Sequence, residues 1–395
     1  MSITGRKVIK LLLILTCVIS SFLLVEMYLY QKENKTESSG DQLTFCTHTG
    51  TKITKGSGLK LTTAPFTIFK NLPNQKLSNC SINSLGFRGG EISTERNQRK
   101  RIIVVGGSCA FGHSLNNDNE TLAAFLGKQN NGYEVINAAV NGFHSGEELA
   151  YIVTELVDYH PDVIIAFDGW NDLFFSWYYS LWFGRPREKG ELGFNSTVFM
   201  NIIESPLVAN YQTQTGVFYS FRRFFNTLIH KSFIMSWLQD NLMAIIKKPA
   251  KNLSVEPVQR NNYLNEIIDT YTSNIKKMHL FCNSLGIKFL VAFQPELGSK
   301  SNLSADERAI LSYGSFTAGW GINSYSKNFP SLYRQFIERS KTKLRDNGID
   351  YIDINMDPKF KNSSNTVFSD VVHTNKNGNE IIAQILDEHL KNSFK

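Results

Sequence analysis

Two hydrophobic periods alternate along most of this chain. Short runs rich in Ile, Val and Phe, bounded by Gly, Pro, Asn or Asp, predict buried strands at Arg101–Gly107, Tyr133–Ala138, Asp162–Phe167, Ile287–Phe293 and Asp350–Ile354. Between them, apolar residues recur at helical spacing over Glu147–Tyr159, Tyr263–Leu285, Pro330–Asn347 and Asn377–Leu390. That alternation implies right-handed βαβ crossovers and a parallel sheet, hence an α/β fold. The stretch from Asp172 to Gly286 is too long for a simple crossover and predicts an insertion at about 173–262.

One segment follows neither period. Leu11–Val25 carries no charge, and with its flanks it gives an apolar span over 8–30, long enough to cross a hydrocarbon core of about 30 Å as a helix. Arg6, Lys7 and Lys10 lie at its start, which places a short tail, 1–7, in the cytoplasm and the rest of the chain outside it, at a bacterial inner membrane, in the periplasm or at the cell surface. A cleaved signal peptide ending near Val18-Ile-Ser20 is the rival reading, and a buried soluble helix is a third. The apolar residues continue through Phe22–Val25, and Tyr28 and Tyr30 follow where an interfacial belt would lie, which favours an anchor. The polar stretch 31–58 then reads as a linker to a domain over 59–395.

Composition narrows the function classes. With 395 residues, 42% hydrophobic and 19% charged, the chain holds enough apolar surface for a large core. Its net charge of +7 is spread along the sequence without a basic cluster, which argues against a nucleic-acid partner. Five cysteines, Cys17, Cys46, Cys80, Cys109 and Cys282, are too scattered for a metal site, although outside the cytoplasm Cys46 and Cys80 are a candidate bridge.

The chemistry-bearing residues gather at predicted strand ends. The first strand runs into Gly106-Gly107-Ser108, where two glycines permit the tight turn that presents a side chain. Asn137-Ala-Ala-Val-Asn-Gly142 follows the second strand, Gly169-Trp170-Asn171-Asp172 follows the third, and Ser369-Asp370-Val-Val-His373 precedes the last helix. Taken singly, each has an ordinary reading: a strand-to-helix turn at Ser108, a helix cap at Asn171-Asp172, a surface histidine at His373. Their common place outside the carboxyl ends of strands is where parallel sheets build sites.

This ordered set resembles the SGNH branch of the GDSL hydrolase superfamily, over roughly Cys80 to Leu390 and including the lead-in Asn83-Ser-Leu-Gly-Phe-Arg88. The resemblance implies a three-layer αβα sandwich with a flavodoxin-like five-stranded parallel sheet in the order 2-1-3-4-5. Two positions depart from the family pattern: Gly107 stands where an Asp is usual, and Trp170 replaces a smaller residue.

The residues themselves point to acyl transfer. Ser108 is the candidate nucleophile, His373 its base, and Asp370 the carboxylate that orients the imidazole. The Ser108 and Gly142 N–H groups and the Asn171 amide are the candidate oxyanion donors. Cys109 is adjacent to Ser108, but nothing in its surroundings lowers a thiol pKa. Such chemistry requires neither metal nor organic cofactor.

The aromatic run Leu173–Phe183 reads either as a buried helix, as a sugar-stacking rim or as an acyl- or membrane-facing lip, with Trp170, Trp177 and, after the fourth strand, Glu296 as rim candidates. The expected substrate is an O-acylated cell-surface glycan, met by hydrolysis or acyl transfer. A lipase or small-ester esterase is the alternative within the class, and a non-catalytic glycan-binding or assembly protein the alternative outside it.

Overall fold

A computed structural model of the protein describes residues 59–93, 99–129, 133–177, 257–313 and 325–393. All belong to one compact unit, Phe45–Ile203 together with Val255–Lys395. The expected tail, anchor and linker and most of the expected insertion lie outside the described residues, as does Cys46. Among the described residues no helix is long and apolar enough to cross a membrane.

Five strands form the central sheet: β5 (Lys100–Gly106), β6 (Tyr133–Asn137), β7 (Val163–Asp168), β8 (Lys288–Phe293) and β9 (Asp350–Asp353). Their order is β6-β5-β7-β8-β9 and every pair is parallel, the 2-1-3-4-5 arrangement that the resemblance implies. Helix α2 (Leu122–Gln129) packs against α9 (Lys376–Ser393), and α5 (Pro257–Ser284) packs against both α3 (Ser145–Thr154) and α7 (Tyr325–Asp346). With helices covering the sheet, Ile102, Ile103, Val104 and Val105 of β5 and every residue of β7 are buried. Each fully buried Ile or Val side chain contributes about 1.5–3 kcal/mol, so these two strands anchor the core.

Strand limits depart from the expected ones by one residue at one or both ends. Helix Glu147–Tyr159 divides at Glu155 into α3 and a 3-10 turn, Leu156–Tyr159. Helix α5 starts at Pro257, inside the expected insertion, and α7 starts at Tyr325, leaving Pro330 within it. Two small hairpins precede the sheet and follow no long hydrophobic run: β1 (Leu61–Ala64) with β2 (Ile68–Asn71), and β3 (Gln75–Lys76) with β4 (Ser81–Ile82). Cys80, beside β4, is buried, and the candidate bridge to Cys46 falls on a residue outside the described ones.

The lead-in segment is a docking strap. Asn83 Oδ1 accepts from Leu85 N and Phe87 N at 3.0 and 2.9 Å, which closes the loop around Gly86. The Arg88 backbone N–H then donates to Asn137 O at 3.1 Å, at the carboxyl end of the outer strand β6. Its buried guanidinium reaches Asp118 at 2.9 Å and the Phe111 and Gly112 carbonyls at 3.0 and 2.6 Å.

At the end of β5 the backbone approaches its neighbour closely. Gly106 has φ 149, and a Cβ there would lie 2.4 Å from Phe167 O and 2.7 Å from Ala110 Cβ. Gly106→Ala is therefore expected to lower the free energy of unfolding by at least about 2 kcal/mol, or to prevent folding. Urea unfolding followed by circular dichroism checks this, and a loss within error of zero would contradict the close approach.

Candidate active site

Ser108 opens α1, the four-residue helix Ser108–Phe111 that follows β5 directly, and its side chain is half-buried. As the first residue of a helix, its N–H has no intrahelical carbonyl to bond. Gly107 is required in front of it. An added Cβ would lie 2.3 Å from Asn171 Nδ2 and 2.9 Å from Phe143 O, so the Asp usual in the family that the sequence resembles has no room here.

His373 and Asp370 arrive on the loop before α9. Asp370 Oδ1 accepts from Val372 N at 2.8 Å and His373 N at 2.7 Å, which closes the loop. Its Oδ2 bonds His373 Nδ1 at 2.7 Å, and His373 Nε2 bonds Ser108 Oγ at 2.8 Å across 265 positions of sequence. A carboxylate only accepts, so Nδ1 carries the proton and Nε2 receives the serine hydroxyl. Burial by itself would raise the Asp370 carboxyl. Attraction to the His373 ring, together with the ring and backbone hydrogen bonds, more than offsets that and holds it below the ordinary aspartate value. The loop is pinned from outside as well: Leu297 N donates to Val371 O at 2.9 Å and Cys109 Sγ to Val372 O at 2.9 Å. Burial, then the Asp370 charge, pushes the Cys109 thiol far up, which removes it as a nucleophile.

Gly142 lies in a tight turn with φ 90, bracketed by Phe143 N bonded to Val140 O at 3.0 Å. Val140 N in turn donates to Gly106 O at 3.1 Å, which ties this loop to the end of the nucleophile strand. Asn171, on α4 (Trp170–Trp177), donates Nδ2 to Phe143 O at 2.7 Å. An amide nitrogen has two protons, so one remains for a bound group. The five residues of the sequence constellation thus meet at one end of the sheet.

Two of the three rim candidates, Trp170 and Glu296, are buried and form no rim. Trp170 is only 2% exposed and stacks on Phe174 with centroids 4.3 Å apart, beside Phe329 at 5.2 Å. Gly169, with φ 100, starts α4 immediately, and Trp170 packs against the residue one turn along instead of overhanging the loop. Trp177 is partly buried on Tyr263, centroids 5.8 Å apart. Glu296 is buried and caps the 3-10 turn Leu297–Ser299 by accepting from Gly298 N at 3.0 Å. The buried-helix reading holds for the run as far as Trp177, and residues 178–183 lie outside the described residues.

Under the oxyanion segment is an acidic cluster that no motif spacing announces. Asp172 accepts from Ser145 N and Ser145 Oγ at the start of α3, at 3.2 and 2.5 Å. Asp168 accepts from Tyr271 OH at 2.7 Å. Glu148 is wholly buried against both carboxylates. Burial first, then the Asp168 and Asp172 charges, raises it well above the ordinary glutamate value and keeps it protonated. Asp168 is pushed up to about 7 for the same reasons, burial and then the Asp172 charge.

A parallel αβα sandwich holding a Ser–His–Asp relay at the carboxyl ends of its strands is a serine-triad α/β protein. No family model matches the chain, and no curated sequence matches it. Among solved structures it is similar to a GDSL-like lipase from Bacteroides thetaiotaomicron, with 12% identity, TM-score 0.38, and 77% of this chain and 93% of that one covered. It is also similar to a lipase/acylhydrolase from Enterococcus faecalis, with 11% identity, TM-score 0.37 and coverages of 75% and 97%. A catalytic mutant of an acetylxylan esterase from Geobacillus stearothermophilus matches with 12% identity, TM-score 0.37 and coverages of 75% and 95%. Likenesses of this size leave the chemistry to be argued from the site.

The acidic cluster fixes a pH dependence of stability. Carboxyls raised in the folded state stay protonated while their unfolded counterparts ionise, so stability is lost as pH rises from the unfolded value, 3.8 for Asp168, through the folded one, about 7. Urea midpoints are expected to fall between about pH 5 and pH 7, with Glu148→Gln giving a flatter profile. An equally steep fall in the variant would remove Glu148 from the account.

Proposed function

We propose that this chain is a serine esterase or O-acyltransferase of the SGNH type, working through an acyl-enzyme. The observation that carries the reading is the unbroken relay from Asp370 through His373 to Ser108 Oγ, 2.7 and 2.8 Å. In the proposed first step His373 Nε2 takes the Ser108 proton as Oγ attacks the ester carbonyl. The carbonyl oxygen becomes an oxyanion facing the Ser108 and Gly142 N–H groups and the free proton of the Asn171 amide. His373 then gives its proton to the departing alcohol, leaving the acyl group on Oγ. Water resolves this ester in a hydrolase and a second hydroxyl does so in a transferase, each losing its proton to His373, which returns it to Ser108 Oγ as the acyl group leaves.

The substrate we favour is an O-acyl group on a cell-surface glycan, with the domain held outside the cytoplasm by the N-terminal span. What supports this is the uncharged span with basic residues at its start. The aromatic side chain of Trp170 lends no support, because it packs inward.

Purified full-length chain is expected to hydrolyse p-nitrophenyl acetate, with Ser108→Ala abolishing turnover. Asn171→Ala is expected to lower kcat about 100- to 1,000-fold and Asp370→Asn about 10,000-fold. Equal rates for the wild type and Ser108→Ala would overturn the reading. For the anchor, the full chain is expected to stay with membranes through a carbonate wash and a chain starting at residue 31 to be released; release of both would refute it.

A further inference from the structure

Beside the triad lies a second imidazole that the acyl-transfer steps leave unused. Gly112 ends α1 in the left-handed conformation, φ 88, and its N–H bonds Ser108 O at 2.9 Å. The chain turns back so sharply that His113 N–H donates to the same carbonyl at 3.0 Å. An added Cβ at Gly112 would lie 2.7 Å from Leu115 Cδ1 and 3.1 Å from Arg88 Nη1, so the turn is closed from behind by the lead-in strap.

The His113 ring lies next to His373, centroids 5.4 Å apart and inclined at 40°. On its other side, Nδ1 is 3.1 Å from Asn141 Nδ2, and Asn141 directly precedes Gly142. His113 therefore bridges the nucleophile turn and the oxyanion loop, yet the residue is exposed. An amide nitrogen is a donor only, so Nδ1 accepts and the ring proton is on Nε2. Desolvation by the surrounding protein, then the neighbouring His373 ring, lowers His113 from the ordinary histidine value. With Nδ1 taken by Asn141, Nε2 is the ring's donor.

We infer that His113 is a substrate contact whose Nε2–H donates to a hydroxyl or ether oxygen on the alcohol side of the ester, selecting esters of polyhydroxylated alcohols. This rests on the acyl-ester reading above and adds a specificity residue to it. A purely structural His113 would orient the Asn141–Gly142 loop for every ester alike. A substrate contact would matter only where the alcohol offers an acceptor.

The test compares phenyl acetate, whose alcohol side has no acceptor beyond the ester oxygen, with a monoacetylated methyl glucoside, using the full-length chain. Relative to wild type, His113→Phe is expected to lower kcat/KM for the acetylated sugar about tenfold more than it lowers kcat/KM for phenyl acetate. His113→Gln, whose side-chain amide reaches nearly as far, is expected to recover most of the loss, and pH–rate profiles to keep their shape in both variants. Equal loss on both esters, no loss on either, or no recovery with Gln would each overturn the inference. Wild-type chain that turns over neither ester would overturn the proposed function, and this contact with it.

Discussion

The hydrogen bond between Ser108 Oγ and His373 Nε2 is the contact on which the rest of this structure depends, because it joins the first core strand to the loop before the last helix. Neither partner reaches the other by local structure alone. Ser108 is placed by the turn at Gly106-Gly107, and His373 by a loop that Asp370 closes on itself and that Leu297 and Cys109 hold from outside. A parallel sheet in the order observed brings these strand ends to one edge, so the fold's topology does the assembling and the loops supply only the final alignment.

Behind that contact the protein keeps buried charge that a purely stabilising design would omit. Asp172 ties the oxyanion helix α4 to the start of α3 through Ser145, and Asp168 ties the end of β7 to Tyr271 on α5. Their mutual repulsion and desolvation are offset in part by protonation of Glu148. Removing one member of such a network costs more than the network as a whole contributes, because the remaining groups are left buried without partners.

Much of this was legible in the sequence, for physical reasons that differ by element. The apolar runs of β5, β7 and β8 are buried on both faces and so leave continuous apolar stretches, and Ser108, Asn171 and His373 sit at their ends or before a helix, where turn residues mark the boundary. The small hairpins β1–β2 and β3–β4 left no such trace, being four and two residues per strand. Trp170 and Glu296 were misplaced because a sequence reports that a side chain follows a strand but not which way the next segment turns it. Glu148 and His113 escaped notice since their roles arise from neighbours distant in the chain, although Gly112 just past a very short helix was a local sign that the chain doubles back there.

The absence of a side chain at Gly107 has a consequence for how this site can change. Asn171 Nδ2 occupies the volume that a Cβ would need, so the nucleophile turn and the amide donor behave as a lock and its key cut together. Any attempt to graft the usual Gly-Asp-Ser turn onto this framework has to remodel α4 at the same time. The two loops are inherited, or redesigned, only as a matched set.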